Sequence, residues 1–415
     1  MTPPPLDFAI ACFTFQTHRD IPTRPLLTVS PHSPPLAGHR TSIREQYATR
    51  AAFLITGLSM SSWAPLVPFA KARVGVDDGT LGWLLLCLGL GSIVTMPLTG
   101  MATSRWGCRL VIAIATLLVV IIIPVLALAS SVALLAAAIA AFGAGMGALS
   151  VAINVQAVMV ENDSRRHMMS GFHGLFSIGG IIGAGSVSLL IGAGLEPFVV
   201  TLVVSALLVI LLVLAWPGLL PYGNREAGQT PLFVLPRGLV IFLGALCFLV
   251  FLAEGAMLDW SAVFLISVHG LGHAEAGFGY SVFALAMAVG RLSGDWLVKT
   301  LGGTLVVVAG GALGAAGLLL AVVAPNAWLA FGGFLLIGLG VSNLVPVFFT
   351  VAGRQTIMPP SFAIASITAI GYAGILLGPA GIGFVADHLG LEASFALMAV
   401  GLLFVAASGP KATRG

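Results

Sequence analysis

The stretch Phe251-Leu-Ala-Glu254-Gly-Ala-Met-Leu-Asp259-Trp260-Ser-Ala-Val263 puts two carboxylates inside an apolar run from about Leu239 to Ile266. An Asp near the middle of a helix in lipid costs on the order of 2.5–3.5 kcal/mol. Such a group is kept where it faces a cavity, a partner or the interface, and there it can take up and release a proton as its surroundings change. On a helix rising about 1.5 Å per residue, Glu254 lies roughly 22 Å from Leu239, in the outer half of a bilayer. Asp259, five residues on, is turned away by about 140°. The two therefore do not form a paired acidic site. Glu254 is the expected coupling residue, and Asp259 an outer neighbour, solvated or paired with another helix.

Other polar residues stand alone in apolar surroundings. Asn154 and Gln156 lie on a fourth apolar segment and Asn343 on a tenth, as candidate donors to a polar solute. His173 and Ser177 are one turn apart on a fifth, where a structural hydrogen bond is expected ahead of a proton relay. Trp63 and Trp260 occupy nearby positions in two halves of the chain, suited to stacking on a cyclic ligand or to an outer aromatic belt. Arg291 and Asp295 are four residues apart, share a helix face and can pair near a helix end, as a gate would require.

Several chemistries have no basis here. His173 and Ser177 are too little for an intramembrane enzyme. No Gly-x-x-x-x-Gly-Lys-[Ser/Thr] run is present, so no ATP-driven pump is expected. The four cysteines are scattered without metal-site spacing, and neither metal nor cofactor is expected. A net charge of +3 gives no nucleic-acid footprint.

The elements that must position these residues follow from composition. The chain of 415 residues is 58% hydrophobic and 8% charged, with a mean hydropathy of +1.07, against roughly 25% charged in a soluble domain. Spans of about 20 apolar residues cross a bilayer core, and twelve fit: about Ala48–Ala70, Leu81–Thr103, Leu110–Leu128, Val132–Val160, Met168–Gly192, Pro197–Trp216, Leu239–Ile266, Phe278–Leu297, Thr304–Ala324, Trp328–Ala352, Ala363–Val385 and Ala393–Ala407. Of the 18 Lys and Arg, only Lys71 and Arg73 fall on the outer side if the N-terminus is cytoplasmic, so both termini are expected inside. Residues 1–44, rich in proline, are expected to be a disordered cytoplasmic tail. Two six-span bundles are expected over 45–216 and 238–408, joined by a proline-rich cytoplasmic linker over 217–237, with a short tail over 409–415.

A shift of 195 residues relates the halves. It carries Gly75, Gly82, Gly107, Gly143, Gly145, Gly179 and Gly183 onto Gly270, Gly277, Gly302, Gly338, Gly340, Gly374 and Gly378 without a gap. Between spans two and three the chain reads Gly100-Met-Ala-Thr-Ser104-Arg105-Trp-Gly107-Cys-Arg109. This resembles the Gly-x-x-x-Asp-Arg-x-Gly-x-Arg signature of the major facilitator superfamily, with Ser104 where the family usually has Asp. The second half carries Gly290-Arg291-Leu-Ser-Gly294-Asp295 at the corresponding place. The resemblance implies an all-α membrane fold of twelve helices in two pseudo-repeats, a central cavity, and gating by Gly100, Arg105, Gly107, Arg109, Arg291 and Asp295. The stretches around Asn154, His173 and Glu254 resemble the fucose-permease-like branch, which implies alternating access and often proton coupling with a sugar-like solute. That permease carries working carboxylates on its first and fourth helices; here those helices offer none in that role, so Glu254 must carry the proton if one is coupled. The expected function is proton-coupled symport of a small polar, sugar-like solute by a monomer in the inner membrane. Export of a small organic molecule, or a transporter-like sensor, are the alternatives.

Overall fold

The computed structural model describes residues 42–76, 78–223, 234–271, 276 and 278–414. Most of the expected N-terminal tail, Gly277, and residues 224–233 of the expected linker, Arg225 included, lie outside the described residues. The described residues are mostly helical, and no strand occurs among them. Among the described residues, eleven helical segments are long and apolar enough to cross a membrane. The longest, Asp78–Leu128, has 51 residues and would be about 76 Å long at 1.5 Å per residue, more than twice a bilayer core of roughly 30 Å. It is two crossings joined at Gly107, whose φ of 81° and ψ of 161° are not helical. The twelve spans are thereby accounted for.

Span one runs over Ile43–Val74. Spans two and three are the parts of Asp78–Leu128 before and after Gly107. Spans four to six are Val132–Ser164, Met169–Gly192 and Pro197–Ala215. Spans seven to nine are Leu239–His269, Phe278–Leu301 and Gly303–Val323. Span ten is broken into Ala327–Val341 and Leu344–Arg354. Spans eleven and twelve are Pro360–Leu389 and Leu391–Thr413.

The backbone repeats with the sequence. Two positive-φ glycines of the first half, Gly75 at 71° and Gly107 at 81°, have counterparts 195 residues on in Gly270 at 67° and Gly302 at 81°, and Gly194 at 91° has one 196 residues on in Gly390 at 88°. At Gly107 and Gly302 the chain reverses between spans in a conformation that disfavours any residue with a Cβ. Packing repeats too: span one lies against span five as seven lies against eleven, and span four against two as ten against eight. Gly143 meets the Leu88 carbonyl, and Gly338 meets that of Phe283, the same contact made twice with no room for a Cβ. Close approach of this kind is how helices associate where lipid removes the hydrophobic drive.

Proline shapes the polar interior. A proline inside a helix cannot bond the carbonyl four residues back. Pro124 releases the Val120 carbonyl, which accepts from Ser205 Oγ at 2.9 Å. Pro346 releases the Ser342 carbonyl, and span ten breaks there, with Asn343 at φ −108° and ψ 1°.

Two segments outside the expected bundles are ordered. Span twelve continues as helix to Thr413, so most of the tail expected from residue 409 is helical. The first residues of the expected linker are bound rather than free: Leu219 and Leu220 are buried, and the backbone N–H groups of Cys108 and Arg109, left without helical partners by the break at Gly107, donate to the carbonyls of Tyr222 and Leu220 at 3.3 and 2.7 Å.

Candidate functional site

Glu254 sits at the midpoint of the 31-residue span seven, 15 residues from its start at Leu239. Arg291 comes from the adjoining span eight. Its Nη2 donates to both carboxylate oxygens of Glu254, at 3.1 and 3.3 Å. The side chains are 7% and 17% exposed, the carboxylate being the more accessible of the two. The guanidinium has two further partners. Its Nε meets the Ser342 carbonyl released by Pro346, at 3.4 Å, and its Nη1 donates to Ser177 Oγ on span five, at 3.2 Å. Arg291 therefore ties an acid of its own half to a hydroxyl of the other half. Asn343, at the break in span ten, fixes the backbone beneath it: its Nδ2 donates to the Gly290 carbonyl at 2.8 Å and to Ser342 Oγ at 3.0 Å.

On the opposite half, Asn154 gives its Nδ2 to the Ser150 carbonyl at 2.7 Å, so its Oδ1 is an acceptor. That oxygen lies 3.1 Å from His173 Nε2, which must then carry the proton. The His173 ring is held between Phe53 and Phe349, at centroid distances of 5.2 and 5.8 Å, the second contact again crossing between halves.

A second polar cluster surrounds the first turn of span five. Helix N-termini carry backbone N–H groups without intrahelical partners. Glu161, at the end of span four, accepts from the N–H of Met168 and Met169 at 2.8 and 2.9 Å. Asp295, from span eight of the other half, accepts from those of Ser170 and Gly171, both at 3.0 Å. Glu161 is 1% exposed and also binds Thr350 Oγ1 on span ten at 2.7 Å, with Arg354 at 3.7 Å. Arg354 in turn donates to Asn162 at 3.2 Å. The positive end of the helix and two carboxylates are thus matched across the halves. A cavity of about 150 Å³ opens beside them, lined in part by Ser170, Asp295, Thr350 and Arg354. This is the arginine-rich end of the bundle.

Not every expected site residue joins these clusters. Arg291 turns to Glu254 rather than pairing with Asp295, since the carboxylate of span seven and the bare N–H groups of span five each offer a better partner than the neighbour one turn away. Gln156 is fully buried but structural: its Nε2 donates to Thr49 Oγ1 at 3.0 Å and its Oε1 accepts from the Leu220 N–H at 3.1 Å. Arg109 braces its own half, its Nε 2.8 Å from the Leu219 carbonyl and its guanidinium 5.5 Å from the Trp216 ring centroid. Arg105 and Asp259 are exposed. Trp63 is 5% exposed within the core, while Trp260, half-buried, lies against Gly383 of span eleven. Gly100 meets Ala365 of span eleven so closely that a Cβ would stand 2.7 Å from the alanine methyl. Residues 100 and 365 are related to Asp295 and Ser170 by the same 195-residue shift, so one contact between halves is made twice, once by charge and once by close packing. Sequence reasoning missed Glu161, Thr350 and Arg354 as a cluster, and Ser342 as an acceptor; Pro346, four residues after Ser342, is the signal that could have found the latter.

The model of the Major Facilitator Superfamily matches residues 51–360 of the chain. The chain is 52% identical over 372 residues to an uncharacterised MFS-type transporter of Yersinia pestis, covering 90% of this chain and 97% of that one. Among solved structures it is similar in fold to the Escherichia coli fucose:proton symporter, with a TM-score of 0.77, 13% identity and coverage of 90% of this chain and 99% of that one. The proton:xylose symporter XylE has a TM-score of 0.69 at 13% identity, over 89% and 95% of the two chains.

Proposed function

The chain belongs to the Major Facilitator Superfamily, whose members are membrane transporters rather than enzymes, and on that footing we propose that it moves a small polar solute by proton-coupled symport. It acts as a monomer in the inner membrane, with its arginine-rich end and both termini in the cytoplasm, as the distribution of basic residues supports. Residues 45–216 and 238–408 are the two bodies that rock against each other.

The observation that carries this reading is the chain of contacts Glu254–Arg291–Ser177, which links an acid to the opposite half through one guanidinium. Ionised Glu254 holds Arg291. Protonated Glu254 loses its charge-assisted bond and releases it. Because Arg291 and Asp295 both reach span five, the state of Glu254 is felt where spans five and eight must separate for the cytoplasmic end to open. The contacts of Glu161, Asp295, Gly100 and Arg354 fit a state closed at that end. Two solved neighbours of this fold are named as proton symporters of fucose and of xylose, which favours symport and a sugar-like solute.

The test is accumulation of a labelled panel of hexoses, pentoses and sugar acids in proteoliposomes under an inward proton gradient. Collapsing the gradient with a protonophore should abolish accumulation of the transported member. Equal accumulation at every gradient would defeat the proton coupling.

A further inference from the structure

We propose that the solute is a small carboxylate, of the class of sugar acids, and that its carboxylate takes the place of Glu254 on Arg291 when Glu254 is protonated; this rests on reading Glu254 as the proton carrier. The argument begins with what Arg291 cannot do. A guanidinium does not lose its charge in a protein. In the present state its compensation is Glu254, through both oxygens, and its remaining partners are neutral: the Ser177 hydroxyl and the Ser342 carbonyl. If Glu254 takes a proton, a 7%-exposed cation is left facing dipoles alone. An unpaired buried charge is far costlier than a paired one, so some anion must arrive for the protonated state to be populated.

No other side chain near the pair supplies that anion. Asp295 is committed to the N–H groups of span five, and Asp259 is exposed on another face of span seven. His173 lies within electrostatic reach of Arg291, with its ring proton directed to Asn154. Tyr280, Tyr372 and Cys247 are the remaining titratable groups within electrostatic reach of Glu254, and none of them is an anion near neutral pH. A neutral sugar would bring only more dipoles. A cationic solute would be drawn to Glu254 and repelled by Arg291, and so would compete with the proton. A carboxylate restores the charge balance and can engage the guanidinium through two parallel hydrogen bonds. Proton and anion then each raise the other's affinity by the same factor, and the loaded site carries the same net charge as the empty one.

Glu254→Gln imitates the protonated acid. The full-length protein in detergent is melted at pH 7.5 with sodium acetate, sodium D-gluconate or D-glucose at equal ionic strength. Acetate is the smaller of the two carboxylate probes. The expected result is that a carboxylate raises the melting temperature of Glu254→Gln with an apparent affinity at least about tenfold above wild type, as binding to the folded state requires. Glucose should not distinguish the two proteins, and the double variant Glu254→Gln/Arg291→Gln should lose the carboxylate effect. As a check independent of that variant's fold, acetate binding to wild type should strengthen between pH 7.5 and pH 5.5. The inference is overturned if neither carboxylate stabilises Glu254→Gln beyond wild type, if glucose does so equally, or if the effect survives in the double variant. Proton-driven accumulation of a neutral sugar, with no carboxylate effect, would sink this inference and leave the coupling intact; a carboxylate effect without proton-driven accumulation would do the reverse.

Discussion

A polar side chain in the membrane interior earns its place by the partners it finds, and here the partners sort function from structure. Gln156 and Glu254 look alike from sequence, each a lone polar group in an apolar helix. Gln156 is satisfied at both ends by fixed groups of its own half. Glu254 is held by one guanidinium that also reaches across the molecule. Gln156→Ala should therefore cost about 1–3 kcal/mol of stability, from the stranded Leu220 N–H, seen as a lower melting temperature with solute affinity unchanged. A loss of affinity without a loss of stability would return Gln156 to the solute site. The acid at 254 was legible as anomalous from its surroundings alone. Its partner was not, because Arg291 lies 37 residues away on another helix, and local spacing offers Asp295 as an equally good match.

Among elements, the broken tenth span and the capped fifth span do most to shape the site. Pro346 denies Ser342 a helical bond, and Arg291 takes the freed carbonyl. Pro346→Ala should mend the helix, raise the melting temperature and slow solute turnover about tenfold, equivalent to roughly 1.4 kcal/mol of lost site geometry. Unchanged turnover would show that the break is incidental. The N-terminus of span five is closed by one carboxylate from each half. Asp295→Asn keeps the shape but weakens two charge-assisted bonds, at about 1.5–3 kcal/mol. Spin labels on the arginine-rich ends of spans five and eight should then show a longer distance whose population rises at least about tenfold. An unaltered distribution would remove Asp295 from the gate. The break in span ten could have been anticipated from Pro346; the double cap on span five could not, since which helix end meets which carboxylate is decided by packing between halves.

For the molecule as a whole, the 195-residue shift seen in seven glycines reappears in backbone angles, in helix pairing and in the contact that Gly100–Ala365 and Asp295–Ser170 make twice. The repeat was legible because glycine at a reversal or a close approach has no substitute, so the spacing of turns is written in one residue type. The differences between halves were less legible, because they lie in which side chains fill equivalent places. Asp295 of the second half makes a charged contact with Ser170, whereas Gly100 at the equivalent place in the first leaves only close packing. In the mechanism proposed above, rocking of such halves moves solute and the state of Glu254 sets when it does so. The most direct test compares wild type with Glu254→Gln in proteoliposomes, measuring both accumulation under an inward proton gradient and exchange of labelled for unlabelled solute without one. The account predicts that Glu254→Gln keeps exchange and loses gradient-driven accumulation; accumulation at the wild-type level would contradict it.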